Sequence, residues 1–152
     1  MSDPPALRVL VAPDAFKGSL SARDAADAMA AGLADALGAS ARIERLPLAD
    51  GGEGTLDALL ALDGATERRT PTTDAIGRPR AARWGLLPDA TAVVEAAEAN
   101  GLPLVSDVAL RPLEADSAGV GLLLRAALEG GATSVLLTVG GSATTDGGAG
   151  LL

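Results

Sequence analysis

The stretch LRVLVAPDAFKGSLSARDAADAMAAGLADALGASARIERLPLADGGEGT, residues 7–55, carries the pattern that decides the fold. A short apolar run at residues 7–12 predicts a buried strand, and residues 22–37 place apolar side chains at helical spacing. A second strand is predicted at residues 41–48. This strand–helix–strand order is typical of a parallel α/β sheet, so we expect the two strands to be parallel neighbours joined by the helix.

The ends of the first helix are marked in the sequence. Ser21 can cap its start, with Asp24 at the capping-box position, and Gly38 is a typical C-terminal stop. After the second strand, a Gly-rich loop leads into a short helix that we expect to end at Leu62, before a stop at Gly64. The α/β alternation therefore continues to this point.

The pattern changes beyond residue 64. Residues 65–87 alternate roughly between polar and apolar side chains, with a Pro and Gly break, and predict a hairpin-like pair of strands. A further strand is predicted at residues 91–96, a helix at 117–128 and a buried strand at 134–139. The change in periodicity places a domain boundary near residue 65.

Composition excludes several function classes. The net charge of −8 and the pI near 4.4 disfavour nucleic-acid and anionic-membrane binding, which need a basic face. Cysteine and histidine are absent, so a general base must be a carboxylate or a lysine, and a metal site must use oxygen ligands. No apolar run has transmembrane length and the N-terminus does not look like a signal peptide, so we expect a cytoplasmic protein.

Three loops that follow predicted strands could carry chemistry. They are PDAFKGSL at residues 13–20, ADGGEGT at 49–55 and GGSATTDGGAG at 140–150. In a parallel sheet these strand ends share one edge, where ligands bind. Glycine lets backbone N–H groups approach an anion, and the acids would hold Mg²⁺ or accept a proton from a hydroxyl.

Each loop also has a purely structural interpretation. Phe16 would fill the core while Asp14 and Lys17 are solvated, residues 50–52 would be only a turn before a capped helix, and the third loop would be a structural turn. Lys17 is the single lysine beside eleven arginines, which indicates either chance or a place that requires a compact ammonium. Neither a P-loop nor a G-x-G-x-x-G pattern is present, so a dinucleotide site is unsupported.

Taken together, the motifs resemble the bacterial type I glycerate kinase family. The resemblance rests on APDAFKGSLSA (12–22), PLADGGEGT (47–55) and VGGSATTDGGAG (139–150), in this order. It extends to VVEAAEANGL (93–102) and to two further segments, RPLEADSAGVG (111–121) and LEGGAT (128–133).

The resemblance implies a fold of two α/β domains, the second inserted into the first, with the active site in the cleft between them. Residues 1–64 would form the first part of a Rossmann-like parallel-sheet domain. Residues 65–152 would form the start of the inserted α/β domain. Members of the family are about twice as long as this chain or more, so we expect it to be the N-terminal part of such a protein.

The resemblance also implies the site residues. The catalytic candidates are Asp14, Lys17, Asp50 and Asp146. The substrate- and phosphate-binding candidates are Ser19, Gly51, Gly52, Glu53, Gly54, Thr55, Gly119, Gly121, Gly140, Gly141, Ser142, Gly147 and Gly148. No residue is assigned to a metal ion. The chain departs from the family pattern at Ala15, Leu122 and Thr145 and around residues 116–118, where potential polar contacts change.

The implied reaction is the ATP- and Mg²⁺-dependent phosphorylation of D-glycerate, a small-molecule reaction that needs no nucleic acid and no membrane. Catalysis would come from positioning and charge neutralisation during in-line phosphoryl transfer. We expect the chain alone to be inactive and loosely folded around residues 140–152, because the last loop should lead into a helix. Two alternatives remain open: a non-catalytic fragment that binds nucleotide or phosphate, and another small-acid enzyme on a similar scaffold.

Overall fold

The computed structural model describes residues 7–152, which divide into two compact units between Asp50 and Gly51. The first unit contains strand β1 (Leu7–Val11), helix α1 (Ala22–Leu37) and strand β2 (Ala41–Arg45). Strands β1 and β2 are parallel, in a register that runs from Leu7 opposite Ala41 to Val11 opposite Arg45. The predicted strand–helix–strand unit is therefore confirmed.

Strand β2 is shorter than the predicted residues 41–48, but its pairing continues past its end. The N–H of Leu46 donates to the carbonyl oxygen of Val11 at 2.8 Å, and that of Leu48 donates to Pro13 at 2.9 Å. These two bonds set the loop after β1 beside the chain that leads to Asp50. Two loops predicted to carry chemistry thus leave the same end of the two-stranded sheet.

The predicted caps of helix α1 are confirmed. The Ser21 hydroxyl oxygen accepts the Asp24 N–H at 3.1 Å, and the same hydroxyl donates to the Asp24 carboxylate at 2.7 Å. Gly38 ends the helix with a positive φ of 55°, a conformation that favours glycine, and donates its N–H to Ala34. Both ends of the helix are therefore fixed by local sequence.

The second unit is a mixed sheet in the order β3–β4–β5–β6. Its strands are β3 (Thr66–Thr73), β4 (Pro79–Leu86), β5 (Thr91–Glu95) and β6 (Ser134–Thr138). Strands β3 and β4 form the predicted hairpin, β4 and β5 are also antiparallel, and β5 and β6 are parallel.

Five elements of the second unit are helical. They are the α-helices α2 (Thr55–Leu60), α3 (Ala97–Asn100) and α4 (Ala118–Glu129), and two 3₁₀ turns at Leu102–Val105 and Ala149–Leu151. Helix α4 packs its buried Val120 and Leu123 against Val94 of the sheet and forms the main core cluster. Among residues 7–152, no helix is both long and apolar enough to cross a bilayer.

The prediction that the first and last strands are buried was wrong. Leu7 and Leu10 of β1 are 56% and 60% exposed, and Leu136 of β6 is 44% exposed. Of the ten residues in these two strands, only Val11 and Thr138 are buried. A two-stranded sheet with a single helix, and the edge strand of a four-stranded sheet, have too few neighbours among the described residues to cover both faces.

Candidate functional site

Two glycine-rich loops of the second unit touch each other. The N–H of Gly140, which follows β6, donates to the carbonyl oxygen of Gly51 at 3.1 Å. A Cβ added at Gly140 would lie 2.5 Å from the Cα of Gly52, so no larger residue fits there without moving backbone. The structure therefore brings together part of the predicted loop 49–55 and the start of the predicted loop 140–150.

The loop that precedes α2 is fastened to the sheet by a buried carboxylate, Glu95, at the end of β5. One Glu95 oxygen accepts the Gly54 N–H at 3.3 Å and the other accepts the Leu56 N–H at 2.9 Å. Glu95 is only 3% exposed. Its burial raises the pKa of the carboxyl group above the ordinary value, although the two donated N–H groups act in the opposite direction.

The same loop is closed by Thr55, whose hydroxyl donates to the carbonyl oxygen of Gly52 at 2.8 Å. Gly51 and Gly54 have positive φ values of 90° and 95°, which allow the chain to turn into α2. Glu53 is exposed at the tip of this turn. Because Glu95 already accepts two N–H groups at the start of α2, these donors are not directed at a ligand in this structure.

The first half of the last loop is fastened to the turn after α3. The buried Asn100 accepts the Ala143 N–H on its backbone carbonyl oxygen at 2.7 Å. Its side-chain amide donates to the Thr144 hydroxyl at 3.2 Å. The Ser142 hydroxyl lies 3.4 Å from the Asn100 side-chain oxygen. Gly141 accepts the N–H of Leu102 at 2.9 Å. These contacts hold residues 140–144 against the turn after α3.

The second half of that loop folds around Asp146. One Asp146 oxygen accepts both the N–H and the hydroxyl of Ser117 at 2.8 Å, and the N–H of Gly150 at 3.0 Å. The other accepts the Gly148 N–H at 3.1 Å. These donors, the Ser117 hydroxyl first, hold the pKa of Asp146 well below its ordinary value. An ionised carboxylate with so many donors is a weak proton acceptor, so the geometry suits Asp146 to organising the loop better than to acting as a base.

Four other predicted glycines differ in their surroundings. A Cβ on Gly119 would lie 2.1 Å from the carbonyl oxygen of Thr73, and one on Gly121 would lie 2.8 Å from that of Leu151. Close packing of α4 accounts for both glycines without a ligand. Gly147 and Gly148 have positive φ values of 63° and 82° and open space beside them, so they serve the turn after Asp146.

In the first unit, the loop after β1 is a tight turn with Lys17 at its tip. The N–H of Phe16 donates to Leu20 at 2.9 Å, and that of Ser19 donates to Phe16 at 2.8 Å. Lys17 and Ser19 are both exposed, as is Asp14, which accepts the neighbouring Ala15 N–H. Phe16 is 50% exposed, so the interpretation of this side chain as a core plug was wrong.

The described residues contain no group of three or more acids that could hold a metal ion. Sequence reasoning missed Glu95, Asn100 and Ser117, whose side chains fasten the loops. The signal for Glu95 was present, because it is a single acid that closes the apolar strand sequence TAVVE. Asn100 and Ser117 carry no comparable signal, since polar residues at turns and helix starts are common.

A family profile and known sequences match nearly the whole chain. A family profile described as "Glycerate kinase family" matches residues 9–152. The chain belongs to the glycerate kinase family. It is 42% identical over 147 residues to the glycerate 2-kinase of Escherichia coli K12 and to the glycerate kinase of Bacillus subtilis 168, covering 96% of this chain in each case.

The fold comparison points the same way. A crystal structure of a Salmonella typhimurium LT2 protein assigned as a glycerate kinase 2 matches 96% of this chain with a TM-score of 0.76 and 39% identity. The α/β fold is thereby that of a glycerate kinase family member. The chain spans 38% of the length of the E. coli and B. subtilis relatives and 39% of that of the Salmonella protein.

Proposed function

We propose that a protein containing this chain phosphorylates D-glycerate with ATP. The observation that carries the proposal is the contact of the two glycine-rich loops at Gly51 and Gly140, in a chain of the glycerate kinase family. Loops of this kind suit phosphoryl transfer, which depends on positioning and on neutralising charge more than on covalent chemistry.

The four catalytic candidates would contribute differently. Lys17, exposed at the tip of its turn, supplies a compact ammonium for a carboxylate or phosphate group. Asp14 and Asp50 leave the same end of the β1–β2 sheet, and one of them is proposed to orient the glycerate hydroxyl. Asp146 is proposed to shape the loop that carries Ser142, since its oxygens already accept four hydrogen bonds.

The binding candidates divide in the same way. Gly51, Gly52, Glu53, Gly140, Gly141 and Ser142 are proposed to contact the substrates, while the contacts of Gly54, Thr55, Gly119 and Gly121 are explained within the fold. Mg²⁺, the family's expected cofactor, is not matched by a cluster of acids among the described residues, and no step is assigned to it. A cytoplasmic location is part of the same proposal.

The test requires a complete enzyme. In a hybrid protein, residues 1–152 would replace the matching 38% of the E. coli glycerate 2-kinase. We expect the purified hybrid to convert D-glycerate and ATP to phosphoglycerate and ADP, followed by ³¹P NMR. A folded hybrid without this activity, beside an active E. coli enzyme, would refute the proposal.

Lys17→Arg provides the residue-level test in the same hybrid. A planar guanidinium should replace the ammonium poorly, and losing one charged hydrogen bond in the transition state corresponds to about 1.5–3 kcal/mol, or roughly ten- to a hundredfold in turnover. Arg125→Ala is the matched control, since Arg125 is exposed and, among the described residues, pairs with the exposed Glu129. Unchanged turnover of the Lys17 variant would support the structural interpretation, in which this lysine is solvated and has no part in the reaction.

A further inference from the structure

We propose that Glu95 is a positioning residue of the glycerate kinase site, which fixes the shape of the loop Gly51–Gly54 through the two N–H groups it accepts. The proposal rests on the proposed function for what that loop does. It is carried by the geometry of one side chain, which reaches from the end of β5 to the start of α2.

The contacts form a continuous path from the sheet to the loops. Glu95 accepts the N–H groups of Gly54 and Leu56, one on each carboxylate oxygen. Thr55, between them, closes the turn onto Gly52. Gly51 then accepts the N–H of Gly140 at 3.1 Å. A displacement of the Glu95 carboxylate would therefore be passed to both glycine-rich loops.

Burial restricts where the Glu95 carboxylate can lie. Glu95 is 3% exposed, and it accepts the backbone N–H of Leu56, a residue whose side chain is fully buried. Water cannot easily replace the two bonds, because a group in the interior that loses its partner keeps the cost of desolvation. The loop Gly51–Gly54 has positive φ at both ends, a region that glycine enters freely, so its conformation depends on contacts such as these.

The charged groups around Glu95 make its protonation relevant to the loop. Asp57 of α2 and Glu98 of α3 repel a negative charge at Glu95. Arg83 of β4 lies close to both of them and bonds to Asp57 at 2.8 Å and to Glu98 at 2.6 Å. A protonated Glu95 would accept less well from the N–H groups at the start of α2, so we expect the loop to loosen as pH falls.

Glu95→Gln separates positioning from a general structural role. Glutamine has the same shape but offers one acceptor oxygen, so one of the two N–H groups loses its partner. In the hybrid protein we expect kcat/KM to fall about ten- to a hundredfold, a magnitude typical of small misplacements in a site. The urea midpoint at neutral pH should not fall below that of the parent, and the acidic limb of the kcat/KM profile should flatten. Glu95→Asp keeps the charge and should retain that limb.

Hydrogen exchange measured on the same hybrid gives a second, independent readout. We expect faster exchange at Gly54 and Leu56 in Glu95→Gln, and none of this change in the control Asp63→Asn, an exposed acid beyond α2. Unchanged exchange and unchanged kcat/KM would overturn the proposal, as would an activity loss matched by a loss of stability. An inactive parent hybrid would count against the proposed function alone. The exchange rates at Gly54 and Leu56 in the parent and in Glu95→Gln would still show whether Glu95 fixes the loop.

Discussion

Two carboxylates organise the glycine-rich loops of the second unit, and their pKa values are shifted in opposite directions. Glu95 is buried, accepts two N–H groups and has a raised pKa, whereas Asp146 is only partly buried, accepts four hydrogen bonds and has a lowered pKa. The number of donors and the depth of burial together decide the sign of the shift. A charge on Glu95 is therefore costly to the fold, whereas the fold favours the charge on Asp146.

The largest effect is expected where the two loops meet, between the Gly51–Gly54 loop held by Glu95 and the loop 140–150 held by Asp146. Gly140→Ala would place a methyl group 2.5 Å from the Cα of Gly52, and backbone must move to relieve it. We expect a loss of about 1–3 kcal/mol in the free energy of unfolding, the usual range for overpacking, measured by urea denaturation. Gly32→Ala is the control, since Gly32 lies inside α1 with open space beside it and alanine should stabilise that helix by about 0.5–1 kcal/mol. Equal stability of the Gly140 variant and its parent would mean that the loops do not touch as described.

The next effect concerns Asp146. Its lowered pKa means that it contributes stability above its ordinary value of 3.8, and that this contribution is lost as pH falls through the folded-state value. Asp146→Asn should therefore lower the urea midpoint throughout the neutral range, with the difference from the parent shrinking only in strong acid. A variant as stable as the parent at pH 7 would show that the four hydrogen bonds contribute nothing net.

Glu95 should change the stability of the fold with pH in the opposite direction to Asp146, and over a different pH range. Because its pKa is raised in the folded state, its favourable contribution is complete below its ordinary value of 4.5 and is lost as pH rises through the folded-state value. In Glu95→Gln this decline should disappear, so the variant gains on the parent between weakly acidic and neutral pH. Parallel pH–stability curves for the two proteins would contradict the raised pKa.

The contrast also explains what the sequence could predict. Local patterns were sufficient for α1 with its Ser21 cap and for the β3–β4 hairpin, because periodicity and capping act over a few residues. The parallel pair β1–β2 followed from the strand–helix–strand order. Local patterns could not predict that N–H groups at the start of α2 donate to Glu95, which lies 39 residues from Leu56 along the chain. The packing role of Gly119 against Thr73 is equally non-local. The resemblance predicted which loops carry the site, but the carboxylates that shape these loops depend on tertiary contacts.

The smallest effect is expected at Thr138, the residue of β6 that pairs with Glu95. Its hydroxyl is buried and has no hydrogen-bond partner among the described residues. Thr138→Val removes a buried polar atom without changing shape, so we expect a gain of about 1 kcal/mol in the free energy of unfolding. Thr72→Val is the matched control, because the Thr72 hydroxyl donates to the carbonyl oxygen of Gly119 at 2.6 Å and its loss should destabilise by a similar amount. If Thr138→Val were destabilising, the hydroxyl would have a partner within the fold. If it were stabilising but raised the KM of the hybrid protein, the hydroxyl beside Glu95 would be retained for a substrate.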